Sequence, residues 1–231
     1  MYMLSNKISI DLLLHREGNT MTVKEIRDSL RGKQVIKGLN SRNMEAYLVD
    51  TKEDALKKAL ELIPEGSTVG WGGSASIEEI GLKSAIKNGN YTVIDREESS
   101  SPEEAEKLMH DIFFCDYFLA SSNAVSEDGV LVNIDGNANR VAALSYGPKH
   151  VILIVGMNKV VKSVEDGMSR ARNTAAPLNA QRFDIETPCK KTGCCYDCKK
   201  PGTVCCQILI TRYSRHNGRI KVILVKEDLG F

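Results

Sequence analysis

The sequence has almost no charge excess: 31 Lys and Arg face 30 Asp and Glu, a formal net charge of +1. Binding to a phosphate backbone normally needs a basic surplus, so the balance argues against a nucleic-acid partner. Long apolar runs are also missing. None reaches the roughly 18 residues of a membrane span, so no membrane partner is expected. The opening "MYMLSNKISIDLLLHREGN" has a short apolar patch but no basic n-region and no small-residue cleavage site, so no signal peptide is read. A cytoplasmic protein is expected. There is no P-loop and no NAD or flavin motif. The four histidines, His15, His110, His150 and His216, are scattered without ligand spacing. Cysteine is scarce until late in the chain, where Cys115 stands alone as an expected core thiol. Then "TPCKKTGCCYDCKKPGTVCC" (187–206) holds the other six. Disulfides are rare in the cytoplasm, where clustered thiols more often bind metal.

A chain of 231 residues suits one domain of ordinary size, with or without a small appendage. Neither an internal repeat nor a linker divides it. The first fifty residues read as helical, with Ile26, Leu30, Ile36 and Leu39 on one face. Strands are predicted at 44–50, 67–71, 91–95, 117–122, 129–134 and 150–156. Between them, Thr51 caps a helix, Ser76 and Glu79 read as a capping box, and Ser101 with Pro102 and Glu104 opens another helix. "NKVVKSVEDGMSRARNTAAP" is predicted as one long helix ended by Pro177. Strands alternating with helices predict an α/β fold with a mainly parallel sheet covered on both faces. The C-terminal "QILITRYSRHNGRIKVILVKEDLGF" reads as a β-hairpin turning at His216-Asn217-Gly218.

Two segments point to ligand chemistry. In "VGWGGSASIEEIGL", a strand ends in Trp71-Gly72-Gly73-Ser74 and a helix containing Ser76 follows. Glycines admit close backbone approach, and a helix start offers N–H groups to phosphate or carboxylate. The plainer reading is a tight turn with no ligand. "SSNAVSEDGVLVNIDGNANR" (121–140) gathers Asn123, Asn133, Asp135, Asn137, Asn139 and Arg140. Glu127-Asp128-Gly129 reads as a simple turn, but Asp135–Arg140 has more amides than a turn needs. In "GMNKVV", Asn158 and Lys159 follow a strand end, where a lysine can meet an anion or remain solvated. Arg170 and Arg172 fall on different helix faces, so one at most meets a ligand. A small anionic substrate is the expected partner. Both loops follow strands and belong at one sheet edge. The cysteine stretch reaches that edge only if residues 176–188 carry the chain back, a span of up to about 40 Å.

The blocks "GWGGSASIEEIGL", "NAVSEDGVLVNIDGNANRVAALSYGPKHVILIVGMNKVV", "RARNTAAPLNAQR" and "TPCKKTGCCYDCKKPGTVC" resemble the LUD-domain family of lactate-utilisation proteins. The resemblance runs from about residue 7 to the C-terminus and implies one LUD-like domain over 1–231. Its parts are a helical segment (1–45), a cysteine-rich loop (187–206) and a terminal hairpin (207–231). The implied fold is similar to that of ribose-phosphate isomerases and CoA-transferases, which bind anions on a Gly/Ser turn. The implied process is oxidation of lactate to pyruvate within an iron–sulfur assembly, with redox protein subunits as partners. Cys189, Cys195, Cys198 and Cys205 match the family's cysteine pattern, whereas Cys194 and Cys206 look additional. Four thiolates suit an iron–sulfur cluster, including [4Fe-4S], or Zn. The chain lacks a ferredoxin repeat, and the alternatives stay open: an isomerase or CoA-transferase-like enzyme on a phosphorylated or thioester substrate, or a scaffold subunit with structural zinc.

Overall fold

The computed structural model describes residues 15–16 and 19–231, with side chains from residue 21 onward. The expected helical segment over 1–45 is realised only in part. Residues 1–14 lie outside the described residues, and β1 (His15–Arg16) pairs antiparallel with β2 (Asn19–Thr20). Helix α1 (Val23–Ser41) follows a capping box in which Thr22 and Glu25 satisfy each other's N–H groups. Its buried stripe is Gly32, Val35, Gly38 and Leu39, while Leu30 is exposed, a shift from the predicted face.

Next come β3 (Glu45–Val49), α2 (Lys52–Glu61), capped by Thr51, and β4 (Thr68–Trp71). The predicted single helix after β4 is two, α3 (Ala75–Glu79) and α4 (Leu82–Asn88), because Gly81 turns left-handed between them at φ 74°. Ser74 holds the cap position, so Ser76 and Glu79 form no capping box. Then follow β5 (Thr92–Ile94), α5 (Pro102–Asp111), capped by Ser101, β6 (Tyr117–Ala120), β7 (Ala124–Ser126) and β8 (Leu131–Asp135). Helix α6 (Asn139–Ser145) leads to β9 (His150–Gly156) and the short β10 (Val160–Val161).

The long helix expected after β9 is in pieces. Ser163 caps α7 (Val164–Arg170) in a box with Asp166, a wide π turn spans Ala171–Ala175, and α8 (Ala176–Ala180) contains Pro177. A proline inside a helix has no N–H for the preceding turn, and the widened turn accommodates that loss. Helix α9 (Pro188–Thr192), β11 (Gln207–Thr211) and β12 (Ile220–Val225) complete the order.

Among the described residues, the main sheet has six parallel strands in the order β3-β12-β9-β6-β4-β5. Its two faces are read directly off β9: Val151, Leu153 and Val155 share a core with Val35 and Leu39 of α1, while Ile152 and Ile154 share the other with Ala55 and Ala59 of α2. Both faces are therefore covered, as a parallel sheet requires. A second sheet, β10-β7-β8-β11, packs against the π turn and the start of α8 through Ala124, Val132, Ala171 and Ala176. The two C-terminal strands are present but do not pair as a hairpin. β11 runs antiparallel to β8, and β12 inserts between β3 and β9. Among the described residues, no helix is long and apolar enough to cross a membrane.

Candidate anion cavity and cysteine loop

The turn after β4 builds one wall. A Cβ at Gly72 would lie 3.3 Å from Arg140 and Phe118 side chains, so glycine lets the guanidinium arm pack flush against the backbone. Gly73 is freer; the nearest atom to a Cβ there is Arg96 Nη2 at 3.7 Å. The Ser74 hydroxyl is buried with no partner among the described residues. An orphaned buried hydroxyl costs free energy unless a ligand or water completes it.

The Asp135–Arg140 segment builds the second wall. Arg140 is buried and spends its donors on Asp135, Asn123 and Asn133 side chains and on the Ser121 and Ile134 carbonyls, at 2.5–3.0 Å. Asp135 also accepts from Val141 N–H at 2.8 Å. This network fixes the loop and leaves Arg140 little to offer a ligand. Ala138 is left-handed at φ 64°, a strain of about 1 kcal/mol or more for a residue with a Cβ. Asn137 and Asn139 flank it and also line the cavity.

Lys159 forms the floor. Its side chain is 2% exposed, and Nζ donates to the hydroxyl oxygens of Ser76 at 2.8 Å and Ser121 at 3.0 Å. Burial, then the nearby Arg170 and Arg140, pull its pKa down to about 7. Asn158 is engaged elsewhere, clamping Leu229 and Gly230. Arg170 points inward onto the Asn158 and Asn123 carbonyls, whereas Arg172 points out to Asp197.

Together these elements enclose a cavity of ≈ 620 Å³. Of the residues expected from sequence, Gly73, Ser74, Asn123, Asp135, Asn137, Asn139, Arg140 and Lys159 line it; Gly72 and Ser76 stand one layer behind. Sequence reasoning missed Arg96, Ser121, Arg182, Phe231 and the stretch Pro201–Val204. Two flags existed, Arg182 in "RARNTAAPLNAQR" and Ser121 at the end of "YFLASS", but nothing local marked Arg96 or Phe231. Trp71 is buried in the core beside Lys83 and Lys87 and does not line the cavity.

The stretch Pro201–Val204 belongs to the cysteine loop, so thiols and cavity are neighbours. Cys189, Cys195, Cys198 and Cys205 are half-buried, while Cys194 and Cys206 are exposed. Thr203 contacts both Cys205 Sγ, at 3.3 Å, and Cys198 Sγ, at 3.8 Å. Burial, with Cys195, Cys198 and Cys189 as near neighbours, pushes the Cys205 thiol up. The four thiols matched by pattern thus share one neighbourhood, and the donor set suits a thiophilic metal. Among the described residues, however, no group of three or more His, Cys, Asp or Glu side chains is drawn into metal-holding position. Cys115 is a core thiol, with its pKa raised to about 11 by burial.

These features define an α/β protein whose doubly covered parallel sheet carries a polar cavity, lined by Arg96, Arg140, Lys159 and Arg182 with Glu97, Asp135 and Asp184, and an adjacent thiol loop. Residues 32–225 match the LUD-domain family model, and the chain belongs to that family, which relates it to lactate-utilisation proteins. A solved structure of a DUF162 family protein from Deinococcus radiodurans is similar, with 17% identity and a TM-score of 0.48. The similarity covers 88% of this chain and 99% of that one. No curated protein matches.

Proposed function

We propose that the protein handles a small organic anion in the cavity floored by Lys159, as a component of lactate oxidation to pyruvate. One observation carries this reading. Lys159 is a buried amine that forms no ion pair with a carboxylate among the described residues, beside an unpartnered Ser74 hydroxyl. A carboxylate ligand would supply the missing counter-charge and acceptor, both stronger in a desolvated site than in water. Arg96 and Arg182 add positive charge to the lining, next to the acids Glu97 and Asp184.

Cys189, Cys195, Cys198 and Cys205 would hold a metal centre, which as an iron–sulfur cluster supplies one-electron transfer and as zinc only a structural link. The protein's own residues do the rest. The Arg140 network keeps the second wall rigid, and Ser76 and Ser121 orient the Lys159 amine. A thermal-shift series with lactate, pyruvate and phosphate, run beside the absorption spectrum and metal analysis of anaerobically purified protein, tests both halves. Stabilisation by lactate or pyruvate with a brown, iron-containing sample is expected. No response to any anion would overturn the cavity reading, and a colourless zinc protein would make the thiol loop structural.

A further inference from the structure

Buried Lys83 and half-buried Lys221 are neutralised in the ordinary way. Lys83 pairs with Glu78 at 2.8 Å and Glu97 at 3.0 Å, and Lys221 pairs with Glu45 at 2.7 Å. Lys159 is more buried than Lys83, yet it meets only two serine hydroxyls, with two guanidinium groups near it. The one acid that acts on it, Glu79, has both carboxylate oxygens accepting from Gly230 N–H, at 3.0 and 3.1 Å. Such surroundings favour the free amine over the ammonium, and a free amine at a cavity floor is a nucleophile.

We propose that Lys159 forms an imine with an anionic carbonyl compound of the 2-oxo acid class bound in the cavity. This rests on the anion-cavity reading above and adds a covalent step to it. Once the Lys159 nitrogen is bonded to the carbonyl carbon, other residues add positive charge for the ligand's carboxylate. Arg96 meets a sulfur, Met109 Sδ at 3.4 Å, and Arg182 lies over the Phe231 ring, so both guanidinium groups remain open to a carboxylate. The Lys159 amine is then left for the carbonyl carbon.

The step balances without an oxidant or reductant. The Nζ lone pair attacks the keto carbon, a C–N bond forms, and the carbonyl π pair moves onto oxygen. A proton passes from nitrogen to that oxygen to give a neutral carbinolamine. Its hydroxyl takes up one further proton from solvent and leaves as water, and a protonated imine remains. Ser76 and Ser121 each touch Nζ through a hydroxyl that can both donate and accept, as this transfer needs.

Reductive trapping with cyanoborohydride and pyruvate at neutral pH tests the proposal on the full chain. Intact mass should show one reduced adduct, and peptide mapping should place it on Lys159. Trapping there should run on the order of a hundredfold faster than at exposed lysines, which hold far less free amine at pH 7. Excess lactate should compete, and Lys159→Arg should abolish the adduct. Mapping on the unmodified chain decides the matter even if that variant fails to fold. Adducts spread evenly over surface lysines, or none, overturn the imine. If lactate or phosphate still raises the melting temperature in that case, the anion cavity stands and only the covalent step falls.

Discussion

The backbone N–H of Cys206 donates to the carbonyl of Asp135 at 2.7 Å, so the cysteine loop ends on the strand that carries the cavity's second wall. A Cβ on Gly136 would already sit 3.2 Å from the Val204 Cα, which shows how tightly the two segments abut. Changes at the thiols should therefore be felt in the cavity.

Single Cys→Ser changes at Cys189, Cys195, Cys198 and Cys205 should each remove most of the bound metal from anaerobically prepared protein. Cys115→Ser, Cys194→Ser and Cys206→Ser should leave it largely in place. Elemental analysis is the measurement, and full retention in all four of the first set contradicts the assignment.

Lys159 gives stability a definite pH dependence. Its pKa is about 7 in the folded chain against 10.5 for the free side chain, so between these values the unfolded state binds more protons. Stability should rise with pH across that window, by up to about 5 kcal/mol, and be flat in this respect below 7 and above 10.5. Arg140, Arg170 and Glu79 are the charged groups that bear on it. Denaturant titrations of wild type and Lys159→Met should diverge over this window, and saturating lactate should reduce the difference.

Arg140→Ala would strand Asp135, Asn123 and Asn133 in a buried site. Breaking one partner of a buried ionic network costs about 3–5 kcal/mol. At roughly 2–4 °C per kcal/mol for a chain of this size, the melting temperature should fall by about 6 °C or more. Arg140→Lys should recover little of this, since one ammonium cannot make the guanidinium's five contacts.

Two glycines should behave oppositely. A Cβ on Gly38 would meet Asp128 C at 2.4 Å and Gly129 N at 2.7 Å. Gly38→Ala should thus lose about 1–3 kcal/mol despite its better helix propensity. Gly73→Val has room in the fold but fills the cavity. It should melt close to wild type while losing the thermal response to lactate.

Much of the site was legible because its residue types are out of place in ordinary turns. Asn137, Asn139 and Arg140 stand together on a glycine loop, and Lys159 follows a strand end. Arg96 and Phe231 were not legible, because they reach the cavity through tertiary contact from segments with no local signature. The hairpin misreading has a clear physical source. His216-Asn217-Gly218 does turn the chain, with Gly218 at φ 67°, but the strands on either side differ in kind. Val222, Ile223, Leu224 and Val225 are all buried, the continuous run of a strand covered on both faces. Ile208 and Ile210 are exposed while Leu209 is not, the alternation of a one-sided edge strand. That contrast was the available sign of two sheets. Likewise, Ser163 followed three residues later by Asp166 marked a helix start inside what read as one long helix.

The place of β12 has a consequence for how the chain is made. Among the described residues, β3 has β12 as its only partner in the main sheet, and β12 also supplies the outer neighbour of β9. During synthesis the apolar flank of β9 must wait uncovered until residues 220–225 clear the ribosome. Closure of the sheet is therefore a late, long-range event, of the kind that slows folding and exposes nascent chains to aggregation.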